Sequence, residues 1–113
     1  MVSSRVERPF VKVDAQTLWR LFASTPDDKD IVTELENRAA AGNWGEIIVR
    51  ANEILAELTG GKRAAACAVL ARWYAEMLGS PELAAPYLEE ALRIEPQNTA
   101  ARILRARLPP GRR

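Results

Sequence analysis

Histidine is absent from this chain, and cysteine occurs once. Without an imidazole there is no histidine acid–base pair, no histidine-containing triad, and little from which to build a zinc site. Cys67 has no second thiol with which to form an internal disulfide. It lies in the run Ala-Ala-Ala-Cys-Ala-Val-Leu, with no paired cation close beside it, and reads as a small packing residue rather than a reactive thiol. No apolar stretch approaches the ~18 residues that span a bilayer. The N-terminal Met-Val-Ser-Ser-Arg-Val-Glu-Arg-Pro lacks the uninterrupted apolar core of a secretory signal. No glycine-rich phosphate loop is present, because Gly60-Gly61-Lys62 lacks the P-loop frame. The adjacent acids Asp27-Asp28 and Glu89-Glu90 point to different helix sides and read as solvated surface or dipole partners. These absences lead us to expect a cytoplasmic protein that is not an enzyme, takes no cofactor or metal, and has no membrane span.

What is present is an ordinary soluble composition, 48% apolar and 27% charged over 113 residues, enough for one domain with a modest core. The net charge of +1 is unevenly spread. Residues 25–61 carry eight acids and three bases, whereas residues 99–113 carry five arginines and no acid. Such a division can steer two copies head to tail, or steer the tail toward an acidic partner.

From Asp14 onward the periodicity is helical, and the expected class is all-α. Residues 1–13 read as a flexible arm in which Pro9–Val13 can form a short extended segment. Asp14 caps a short helix whose Ala15, Leu18, Trp19 and Phe22 share one face; a helix this short needs a dock. The dock is its own body, a separate partner or a neighbouring copy. Thr25, with Pro26 at the first helical position, starts a second helix running to about Ala41. Gly42-Asn43-Trp44 turns the chain, and Asn43 with Glu46 forms a capping pair for a third helix to about Leu58. A fourth helix spans about Lys62 to Leu78. A fifth begins at Ser80-Pro81-Glu82 and ends near Glu95-Pro96. Pro86 inside it predicts a kink or a 3₁₀-like first turn. Asn98 caps a sixth, with Ala101, Leu104 and Leu108 on one stripe, and residues 109–113 form a disordered tail.

Residues 79–98 carry a more specific pattern: a turn at Gly79, small Ala84, large Leu88, then Ala91-Leu92 and a closing Pro96. Ala68, Ala71 and Ala75 precede it at close-approach spacing. Over residues 27–108 the chain resembles a minimal tetratricopeptide array of two helix-turn-helix units with a C-terminal capping helix. The second unit matches well except at Arg72, which stands where a small residue is usual. The first unit matches through its Gly42-Asn43-Trp44 turn, but Ile47 and Ile54 stand where the family prefers alanine. The two turns, Gly42 and Gly79, are 37 residues apart rather than the repeat's 34, with the surplus assigned to the Thr59–Lys62 link. The domain layout is therefore an N-terminal arm and helix over 1–24, a repeat domain over 25–108, and a tail.

The resemblance implies a protein-binding scaffold whose first helices line a concave groove. Carried over by position, the groove side takes Ala66, Val69, Trp73 and Glu76 from the second unit. The first unit gives Lys29, Val32, Glu36 and Ala39, and the last helix Ile103 and Arg107. The family's Lys and Asn grip on a chaperone's C-terminal carboxylate is missing, since Val32 or Val69 and Glu36 or Trp73 occupy those positions. Trp73 is either the aromatic centre of the groove or a core residue beneath the helix that carries Leu18, Trp19 and Phe22. The two readings merge if the arm plugs its own groove. The partner expected is a peptide or amphipathic helix of another protein. The alternative is nucleic acid or an acidic partner at Arg102, Arg105 and Arg107, with Arg112 and Arg113 behind them. Head-to-tail self-assembly is a further variant.

Overall fold

The computed structural model describes residues 8–108, and among these the fold is all-helical. The arm before residue 8 and the tail after residue 108, with Arg112 and Arg113, lie outside the described residues. Six α-helices follow one another: α1 (Ala15–Ser24), α2 (Lys29–Arg38), α3 (Trp44–Leu55), α4 (Gly60–Arg72), α5 (Pro81–Ile94) and α6 (Thr99–Arg107). Wide helical turns, Ala39–Asn43 and Trp73–Met77, end α2 and α4. None of the described helices is long and apolar enough to cross a membrane.

The helix starts show which local signals won. Asp14 accepts from the Thr17 backbone N–H, and Asn98 accepts from that of Ala101, so both caps fall where the sequence placed them. The start of α2 does not. Thr25 closes α1, with its N–H and hydroxyl both donating to the Leu21 carbonyl, and Asp28 caps α2 by accepting from Asp30 and Ile31. Pro26 is buried in the turn between them. Asn43 makes no cap for α3 either; its side chain donates back to the Arg38 carbonyl.

Two glycines permit the hairpin turns. Gly42 has φ 109° and separates α2 from α3, and Gly79 has φ 65° between α4 and α5. Ser80 N–H then reaches back to the Tyr74 carbonyl at 2.7 Å. α5 is α-helical from Pro81 to Ile94 with Pro86 inside it. Its first turn is partly 3₁₀: the Ser80 carbonyl accepts from both Leu83 and Ala84. The wide turns begin 34 residues apart, at Ala39 and Trp73. The surplus expected in the Thr59–Lys62 link lies elsewhere: Gly42 falls inside the first wide turn, whereas Gly79 comes after the second, in the Leu78–Ser80 turn before α5.

The helices pack as two interleaved sets. Glu36 of α2 pairs with Arg72 of α4, and Glu76, just beyond α4, pairs with Arg107 of α6 at 3.1 Å. At the opposite end Lys29, Lys62 and Thr99, each early in its helix, border one groove. These contacts run α2, α4 and α6 in the same direction. On the other side Tyr87 of α5 donates to Asn52 of α3 at 2.6 Å and stacks on Tyr74. Arg63 joins the layers, bonding the Leu55 carbonyl and Glu90. The closest packing is α4 on α5, where Ala64, Ala68, Ala71, Ala84 and Ala91 are all buried. Cys67 lies in the same core at 1% exposure, and burial pushes its thiol up to about 11. The packing role expected of it is what the structure gives.

Candidate functional site

Trp73 is the residue on which the two sequence readings parted, and it is fully buried, with no exposed surface. Phe22 of α1 stacks on it at 6.3 Å, Trp44 meets it edge-on at 5.6 Å, and Trp19 extends the cluster from Phe22. Its indole N–H donates to Glu36 at 2.8 Å, so the polar edge is satisfied in place. The expectation of Trp73 as an open aromatic hot spot is corrected. The surface it would have presented is covered within the chain, by Phe22 of the N-terminal helix and Trp44 of α3, and Leu18 and Trp19 are buried beside Phe22 on the same helix face. Glu36 is correspondingly not a groove-wall acid, being engaged by both Arg72 and Trp73.

The arm before α1 is held by a second device that the sequence did not announce. Glu34 is buried at 2% exposure and accepts from Arg8 Nε at 3.0 Å, Arg8 Nη2 at 2.8 Å and Arg38 Nε at 2.9 Å. Arg38 Nη2 donates in turn to the Phe10 carbonyl at 3.0 Å and the Val13 carbonyl at 2.6 Å. Those bonds explain why residues 9–13 are turned rather than extended: Val11 and Val13 N–H bond back to Arg8 and Phe10. Hydrogen bonding to Arg8 first, and then to Arg38, holds the Glu34 carboxyl below its usual range, against the upward push of burial. The i,i+4 spacing of Glu34 and Arg38 was a legible signal; Arg8, 26 residues away, was not.

A groove of about 980 Å³ remains open between α2, α4 and the start of α6. Val32, Ala65, Ala68 and Val69 form its apolar floor; Lys29, Lys62 and Arg72 stand along its walls, and the α1–α2 turn closes one side. Lys29 and Lys62 have no carboxylate within ion-pair distance among the described residues. Val32, Val69 and Lys29 are thus brought together on one concave surface, whereas Ala39, Ala66 and Trp73 are in the core. Ile103 is 53% exposed and lies outside this lining. Glu76 is outside it as well, tied to Arg107.

The basic end is sparser than its sequence suggests. Arg107 is committed to Glu76, and Arg102 donates to Gln97 at 2.9 Å. Arg102 and Arg105 border a small cleft with Leu92, Pro96 and Ala106. The acidic segment is likewise partly spent internally, on Asp28 as a cap and on Glu34 and Glu36 as ion-pair partners. No group of three or more metal-ligating side chains occurs among the described residues. No protein-family model, curated protein or solved structure matches the chain.

Proposed function

We propose that this chain is a protein-interaction adaptor of the tetratricopeptide kind, which takes an extended segment of a partner protein along the groove between α2, α4 and α6. The observation that carries the reading is the floor of that groove. Val32 and Val69, assigned to the groove side by the family's positional pattern, line it together with the small side chains Ala65 and Ala68. Small floor residues let a peptide backbone approach closely, while Lys29 and Lys62, with Asp27 and Glu95 beside them, supply charges of both signs at one end. The 34-residue spacing of the wide turns equals the family's period and supports the same reading.

The test is photo-crosslinking in the source cells from a benzophenone amino acid at Ala65. A discrete product that disappears when Val69→Arg is added supports groove binding. The same reagent at Val49, which is 59% exposed on α3 and outside the groove, is the control. Equal labelling from both positions, or no product from Ala65, overturns the proposal. A thermal melt of the Val69→Arg chain checks that the half-buried site has tolerated the charge.

A further inference from the structure

The helix that brings Phe22 onto Trp73 is the first of the described fold and is fastened at both ends. α1 has only 10 residues and buries Leu18, Trp19 and Phe22 against α2, α3 and the Trp73 ring. A helix of that length does not persist alone in water, so it is ordered by the face it sits on. Its C-terminal end is joined to α2 through the four residues Thr25–Asp28. Its N-terminal end is secured by polar groups: Arg8 on Glu34, and Arg38 on the Phe10 and Val13 carbonyls. Arg8 is 41% exposed at its side chain, so water reaches this fastening, whereas Leu18, Phe22 and Trp73 behind it have no exposed surface.

We propose that α1 is an exchangeable cover. The face beneath it is a docking site for an amphipathic helix of the pattern Leu-Trp-x-x-Phe, filled in cis by α1 and open to α1 of a second copy when the fastening at Glu34 lets go. The second copy is the occupant because its α1 is the helix whose fit to this face is on display. Exchange of an identical element across a short connector is a low-cost route to a dimer. The cis helix has the advantage of tethering, an effective concentration of about millimolar, so the resting chain is closed. Opening also reshapes the groove, since Ser24, Thr25, Pro26 and Asp27 form one of its walls.

The probe is a fluorescein-labelled peptide of residues 13–25, which carries the aromatic face but not Arg8. Its binding to the full-length chain is read by fluorescence anisotropy. Arg8→Ala weakens the cis competitor, so the peptide binds this variant about tenfold more tightly than the wild type. Arg8→Lys, which keeps the charge and loses the two-pronged contact, is the gentler variant and gives an intermediate gain. Hydrogen exchange supplies the second readout: protection in α1 falls in Arg8→Ala while protection in α5 stays at its wild-type level. Equal peptide affinity for wild type and variant, or α1 and α5 losing protection in step, overturns the proposal and makes α1 a fixed part of the core. These readouts are independent of cross-linking from Ala65, so failure of the groove reading and failure of this one are told apart.

Discussion

Replacing Glu34 by alanine tests the network on which the N-terminal segment hangs. The carboxylate is 2% exposed and accepts three charge-assisted hydrogen bonds, at 3.0, 2.8 and 2.9 Å. Removing one partner of a buried ion pair typically costs about 3–5 kcal/mol, because the other partner is stranded. Here the stranded groups are guanidiniums with 41% and 24% of their side chains exposed, so both regain water. The expected loss is therefore at the lower end, about 3 kcal/mol. For a 113-residue domain each kcal/mol lowers the melting temperature by about 4 °C, so Glu34→Ala should fall by about 12 °C. Urea denaturation followed by circular dichroism separates this from a change in compactness: the midpoint moves and the slope does not.

The sign of the pH dependence is fixed by the direction of the shift. Glu34 is held below its ordinary value in the folded state. Its stabilising contribution is fully present above the unfolded carboxyl's pKa, about 4.3, and is lost as pH falls through the lower folded value. The gap between wild type and Glu34→Ala should thus be constant at neutral pH and close below about pH 4. A loss under about 0.5 kcal/mol at pH 7 would place the site among ordinary surface substitutions and refute the reasoning.

Two further outcomes follow from local geometry. Cys67, buried and with its thiol raised to about 11, should not react with Ellman's reagent in the native chain and should react at once in denaturant; stoichiometric labelling without denaturant would contradict its burial. Gly79→Ala and Gly45→Ala should act in opposite directions when their melts are compared. Gly79 sits at φ 65°, so alanine costs about 1–2 kcal/mol. Gly45 lies inside α3 with open space where a Cβ would stand, so alanine gains up to about 1 kcal/mol.

The helices themselves were largely legible from the sequence, because amphipathic spacing and caps such as Asp14 and Asn98 are local signals. The start of α2 was misplaced because two capping residues stood three apart: Thr25 was spent on closing the preceding helix, which left Asp28 to open the next. The fate of Trp73 was open for a different reason. Helical periodicity says that the side chain is apolar-facing, and nothing local says whether the covering atoms come from Phe22, 51 residues earlier, or from another molecule. Glu34 was missed altogether, since a charged residue within a polar stretch gives no hint that it will be buried until Arg8 is placed. Of the positions carried over to α2 and α4, Lys29, Val32 and Val69 line the open groove, whereas Ala39, Ala66 and Trp73 are in the core and Glu36 is held in an ion pair. The first three depend on helix register alone, and the arm alters only what lies deeper.

The burial of Cys67 has a consequence for how this surface meets other molecules. The side chains that ordinarily change charge between pH 6 and 9 are histidine and cysteine. This chain lacks the first, and the fold has moved its only example of the second to about 11. Neither a histidine nor this thiol therefore changes the chain's charge in that range. A complex of this protein that tightens or loosens across it directs attention to titrating groups of the partner or to an α-amino group, which a simple pH titration can read.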